Sequence, residues 1–109
     1  AAGHDEAAPA VDIYSLGVML YEMLTGRPPL MGDSDLELLR KIGADDPPLI
    51  RTLRTGVPGD LEAICMKCLE RRPEERYQTA AELSLDLRRF LNGEVVEARR
   101  HLGRRQGPP

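Results

Sequence analysis

The stretch Ile13–Thr25 constrains the chain more than any other. It carries Ile13, Leu16, Val18, Met19, Leu20, Met23 and Leu24, with Glu22 as its one charged residue. At 100° per residue these apolar side chains cover most of a helix circumference, not one stripe. A helix apolar nearly all round must be buried on nearly all sides, so the rest of the chain has to be organised around it. Asp12 stands where an N-cap is needed, with a carboxylate able to accept from first-turn N–H groups. Gly26 suits a left-handed C-cap, and Pro28-Pro29 forbid continuation.

Three further helices follow from the pattern. Asp33 or Ser34 can cap a short one whose apolar side is Leu36, Leu38, Leu39 and Ile42, ended by Gly43. Residues 44–58 are rich in turn formers and predict an irregular connection. Leu61, Ile64, Cys65, Cys68 and Leu69 then fall at i, i+3, i+4, i+7 and i+8, an amphipathic helix from about Asp60 to Leu69. Arg71-Arg72-Pro73 break it. Thr79-Ala80-Ala81-Glu82 has the form of a capping box, opening a helix to about Leu91 with Leu83, Leu87, Phe90 and Leu91 inward and Asn92-Gly93 at its close. No segment alternates as a strand does, so the expected fold is all-α. Residues 94–109 lack periodicity, hold four Arg against two Glu and end in Gly-Pro-Pro, which predicts a basic flexible tail or linker.

Composition narrows the function classes. A net charge of −3 over 109 residues argues against nucleic-acid binding. No apolar run approaches the roughly 18 residues of a membrane helix. The N-terminus lacks the pattern of a signal peptide, and two cysteines cannot build a disulfide framework, so a reducing, cytoplasmic setting is expected.

Three landmarks in register resemble the helical C-terminal lobe of protein kinases. Asp12-Ile13-Tyr14-Ser15-Leu16-Gly17, followed by Leu20-Tyr21-Glu22-Met23-Leu24-Thr25-Gly26-Arg27-Pro28-Pro29, is similar to that family's central helix F and the loop after it. Asp60–Leu69 resembles helix H, and Arg72-Pro73-Glu74-Glu75-Arg76-Tyr77 with Ala81-Glu82-Leu83 resembles the turn into helix I. Asp86–Glu94 looks like the end of a bacterial serine/threonine kinase domain of the eukaryotic-like type. The resemblance implies that residues 1–93 are part of a kinase C-lobe, helices F to I, downstream of the activation segment. The phosphate-covering G-x-G-x-x-G loop, the strand lysine, H-R-D-x-x-x-x-N, D-F-G and A-P-E do not occur in these residues. The implied activity, transfer of the ATP γ-phosphoryl group to protein Ser or Thr, therefore belongs to a parent kinase holding ATP and Mg²⁺ elsewhere. This chain would hold no catalytic residue and no cofactor, and would supply scaffold.

The resemblance also implies roles for three residues. Asp12 matches the helix F aspartate that accepts hydrogen bonds from catalytic-loop amides; the plain alternative is an N-cap. Arg76 matches the arginine that pairs with the A-P-E glutamate; the plain alternative is a surface ion pair with Glu74 or Glu75. Glu22 stands where some members read a basic residue of the protein substrate, and the alternative is a solvated polar residue. Cys65 and Cys68 form C-x-x-C, but a structural zinc site wants four ligands, so buried inert thiols are expected. Arg99-Arg100-His101 and Arg104-Arg105 of the tail could lie near an anionic membrane surface, the plain alternative being a solvated linker, with membrane attachment only by way of a segment after residue 109. A rival reading is a free-standing helical interaction module without chemistry, in which an apolar groove receives a partner helix.

Overall fold

The computed structural model describes residues 10–42 and 44–100. They form helices α1 (Ala10–Thr25), α2 (Asp35–Ile42), α3 (Ile50–Leu53), α4 (Gly59–Cys68) and α5 (Ala80–Leu91), with a 3-10 turn at Pro73–Glu75. No strand occurs among the described residues. The all-α expectation holds, and α1, α2, α4 and α5 lie where the sequence predicts helices. The last helix is capped as expected: the Glu82 N–H donates to Thr79 Oγ1 at 3.1 Å, and Glu82 Oε1 accepts from the Gln78 N–H at 2.8 Å. Ser34, not Asp33, caps α2 in the same way, through Glu37. Gly43, expected to end α2, lies outside the described residues.

The layers differ from the expectation in an instructive way. The helix buried on nearly every side is α4, where Glu62, Ala63, Ile64, Cys65, Met66 and Cys68 are all buried. Helices α1 and α5 pack against it from two sides. Within the described residues α1 covers one face only. Ile13, Gly17 and Tyr21 repeat every four residues and are buried, whereas Leu16, Met19 and Met23 stand 44%, 57% and 71% exposed. Reading aliphatic residues alone passes over Tyr14 and Tyr21, both buried here. The tyrosines can go inside because a hydroxyl needs only one partner; Tyr21 finds it in the Pro48 carbonyl at 2.7 Å.

Two local expectations are corrected. Residues 44–58 are not wholly irregular, because Ile50–Leu53 form one helical turn with Ile50 fully buried. Four residues are too few for a periodicity to register. The turn is held by Glu62, whose buried carboxylate accepts from the Arg51 N–H at 2.7 Å and pairs with the Arg51 guanidinium at 2.9 Å. Leu91, the last residue of α5 and expected inward, is 79% exposed. Packing also extends beyond residue 93. Val96 and Ala98 are fully buried, and residues 97–100 form a helical turn, so 94–100 belong to the packed body. The tail expected over 101–109 lies outside the described residues.

Asp86 explains that packing. It is completely buried, yet both of its carboxylate oxygens are fully engaged. Oδ2 accepts from the Tyr77 hydroxyl at 2.6 Å and the Ala98 N–H at 3.0 Å. Oδ1 accepts from Arg89 at 2.9 Å and the Glu97 N–H at 2.7 Å. Burial alone would raise its pKa, but the hydrogen bonds from Tyr77, Glu97, Arg89 and Ala98 outweigh it and hold the carboxyl below its ordinary value of 3.8.

Two outcomes follow from these packings. A Cβ at Gly17 would lie 2.6 Å from Cys68 Cβ and 3.1 Å from Leu69 Cδ2, so Gly17→Ala must push α1 off α4. Overpacking of this kind costs about 1–3 kcal/mol, and thermal denaturation should show Tm lowered by about 4 °C or more. Because the folded-state pKa of Asp86 is depressed, its contribution to stability is complete at neutral pH. It fades as the pH falls below about 3.8 and is gone once the folded-state value is passed. Asp86→Asn should lower stability at pH 7 by about 1–3 kcal/mol and flatten the acid limb of the stability profile, as measured by urea denaturation across pH 2–7.

Candidate functional site

Arg76 follows the 3-10 turn with an extended backbone, at φ −83° and ψ 171°. Pro73 opens that turn, and Arg76 N–H closes it on the Pro73 carbonyl at 3.1 Å. The extended backbone after it turns the side chain inward, where it is only 7% exposed. Nε donates to the Glu70 carbonyl at 2.7 Å, and Nη2 makes a longer contact of 3.4 Å to the Arg71 carbonyl. The C-terminal end of a helix leaves carbonyls without intrahelical partners, and the guanidinium serves the carbonyls just past α4. Its flat face lies over the Tyr14 ring at 4.7 Å, a cation–π contact with α1. Burial lowers the Arg76 pKa, while the neighbouring Tyr14 and Glu70 oppose the shift. Burial likewise raises the Tyr14 pKa, so its hydroxyl stays neutral at physiological pH.

Asp12 is not an N-cap. Helix α1 begins at Ala10, and Asp12 sits in the first turn with its side chain exposed. A carboxylate there is favoured by the helix dipole and remains open to further donors. Arg76 meets the same end of α1, because Tyr14 is only two residues on. Asp12 and Arg76 thus frame the first turns of α1. Glu22 does not join them: ten residues further along, it is displaced by about 15 Å of helix axis, and its side chain is exposed. Its carbonyl accepts from Gly26 N–H at 2.8 Å, where Gly26 adopts φ 81° and closes the helix in the expected left-handed form.

The C-x-x-C pair lies at the heart of the α1–α4 crossing. Both thiols are free and buried. Cys65 Sγ donates to the Gly17 carbonyl at 3.5 Å. Desolvation pushes the Cys65 thiol well above its ordinary range and Cys68 to about 12, so both stay protonated and unreactive at neutral pH. No group of three or more His, Cys, Asp or Glu that could hold a metal ion occurs among the described residues.

The buried polar partnerships of three side chains, Glu62, Tyr77 and Asp86, escape a reading of the sequence. Asp86 had a usable signal. It falls at i+3 from Leu83 and i+7 from Thr79, on the inward face of α5. A lone acid on an apolar face needs donors from elsewhere in the chain.

Comparison with known proteins bears on this arrangement. The family model for protein tyrosine and serine/threonine kinases matches residues 2–85. The chain is 47% identical over 87 residues to the serine/threonine-protein kinase PknB of Mycobacterium tuberculosis. It is 35% identical over 92 residues to a probable serine/threonine-protein kinase of Streptomyces coelicolor. It is 37% identical over 87 residues to a probable PknB of Bifidobacterium longum. These alignments cover 80%, 84% and 80% of the chain, but only 14%, 14% and 13% of the respective relatives. A helical body built around α1 and α4, an inward arginine after the 3-10 turn and a family match over most of the length agree with one another: the chain belongs to the protein kinase family, as a fragment of a serine/threonine-protein kinase that carries helices of its C-terminal lobe.

Proposed function

We propose that this chain is the helical floor on which a serine/threonine kinase assembles its catalytic loop and activation segment. The observation that carries this reading is the two-sided character of α1. One face, through Ile13, Gly17 and Tyr21, is locked into the core, and the other presents Leu16, Met19 and Met23 to solvent beside the exposed Asp12. A helix so divided suits a floor with another layer above it. In this reading Asp12 accepts backbone N–H donors of the catalytic loop, since a carboxylate offers about four acceptor sites. Arg76, fixed on Tyr14 and on the Glu70 carbonyl, meets a carboxylate of the activation segment. Glu22 reads a basic residue of a protein substrate by charge pairing.

The whole protein would transfer the ATP γ-phosphoryl group to Ser or Thr with Mg²⁺, which supplies charge neutralisation at the phosphates. In this reading the metal belongs to the rest of the kinase, and no group of three or more His, Cys, Asp or Glu that could hold a metal ion occurs among the described residues of this lobe. Their part is positioning. No helix among the described residues is long and apolar enough to cross a membrane. We place the lobe in a reducing, cytoplasmic setting, with any membrane tether in a segment after residue 109.

The test is a chimera in which residues 1–98 replace the corresponding segment of the M. tuberculosis PknB kinase domain. A folded chimera should phosphorylate Ser or Thr of a protein substrate from ATP·Mg²⁺. Asp12→Ala should lower kcat by about 10²-fold through misplacement of the loop, with the melting temperature nearly unchanged. Glu22→Gln should raise KM for a basic peptide and leave kcat alone. A chimera that melts cooperatively but transfers no phosphoryl group, beside an active PknB control, would overturn the floor reading. An Asp12 variant as active as the chimera would remove that residue's role alone.

A further inference from the structure

Asp86 does more than satisfy itself. Its two backbone donors, the Glu97 and Ala98 N–H groups, open the helical turn over 97–100. Such first-turn N–H groups have no partner within their own helix. The carboxylate on α5 therefore caps a helix that lies eleven residues on in sequence. Three further contacts seat the same segment. Val96 and Ala98 are fully buried in the core. Arg99 pairs with Asp60 at 3.4 Å and lays its guanidinium against Gly59 at the start of α4. The Glu94 N–H donates to the Arg89 carbonyl at 2.8 Å.

From Asp86 a path leads through Tyr77 and the backbone to Arg76. The Tyr77 hydroxyl donates to Asp86 Oδ2. Tyr77 is the chain neighbour of Arg76, whose guanidinium lies on the Tyr14 ring of α1. The Tyr77 ring is itself buried beneath the Lys67 ammonium at 5.2 Å. We propose that residues 94–100 form a latch: docked, they complete the shell around Asp86 and brace the Arg76–Tyr14 stack, and when drawn off the lobe they loosen that stack at the first turns of α1. The physical reason is that a buried carboxylate stripped of two of its four donors is no longer compensated. Tyr77 and Arg89 must then shift or admit water. A partner that grips the chain beyond residue 100 would thereby act on the far side of the lobe without touching it.

Amide hydrogen exchange of the 109-residue chain, read residue by residue by NMR near neutral pH, tests this. In the unmodified chain the Glu97 and Ala98 amides should be protected. Val96→Asp displaces the segment without altering Asp86, Tyr77 or Arg76. It should abolish protection at Glu97 and Ala98 and speed exchange at the Glu75 and Arg76 amides about ten-fold. It should also shift the Tyr14 ring resonances and leave the amides of Arg40–Ile42 unchanged. Absence of protection at Glu97 and Ala98 in the unmodified chain would overturn the latch. So would a response to Val96→Asp confined to residues 94–100. If Val96→Asp unfolds the whole chain, seen as equal loss across α2, Tyr77→Phe decides, since it removes one hydroxyl only. Faster exchange at both Ala98 and Arg76 supports the coupling, and no change at either rejects it.

Discussion

The crossing of α1 over α4 at Gly17 sets the geometry from which the rest of the lobe follows. With hydrogen in place of a side chain at Gly17, Cys68 and Leu69 approach the α1 backbone directly, and the Cys65 thiol reaches the Gly17 carbonyl. Helices packed through larger residues stand about 8–10 Å apart; a glycine at the contact allows the closest approach. One turn to either side, Ile13 and Tyr21 lose all contact with water. Tyr21 then reaches the Pro48 carbonyl and brings the segment before α3 onto the same core. The C-x-x-C pair belongs to this crossing. Its thiols are small, apolar and protonated, and they are used for packing.

The buried charges obey a second rule. A body made of short helices has many helix ends, and each end leaves backbone groups without intrahelical partners. Glu62 serves the N–H of Arg51 in α3, Arg76 the carbonyls after α4, and Asp86 the N–H groups that open the turn at residue 97. Each charge is held by the backbone dipoles it satisfies, and ion pairs add to this, Arg51 with Glu62 and Arg89 with Asp86. This accounts for charged side chains in the interior without assigning them chemistry. It also separates them from Asp12 and Glu22, which face solvent and whose roles depend on what approaches them.

Membership of the kinase family gives the exposed face of α1 its meaning. Leu16, Met19 and Met23 form a ridge opposite the locked face. In a free helix such a ridge would favour association; in the proposed reading it is the upper surface of a floor. Asp12 and the Arg76–Tyr14 stack both lie at one end of that floor, and Glu22 near the other. One helix thus relates the proposed loop anchor to the proposed substrate contact at a fixed spacing along its axis.

Much was legible in the sequence because it depends on local physics. Helix starts and stops at Thr79, Gly26 and Pro73 follow from side-chain oxygen, positive φ and a missing N–H, and these act over three or four residues whatever the surroundings. The apolar period of α4 and the family landmarks belong to the same level. Which face of α1 would be covered was not legible, because its apolar residues run nearly all the way round and only the position of Gly17 against α4 chooses between them. Nor was the burial of Val96 and Ala98, in a segment with no periodicity. Their place comes from Asp86, whose two oxygens reach the N–H groups of Glu97 and Ala98, eleven and twelve positions on, only after α5 has packed on α4. Capping and periodicity belong to the chain alone; the choice of a covered face and the satisfaction of a buried carboxylate exist only once distant segments share one dry interior.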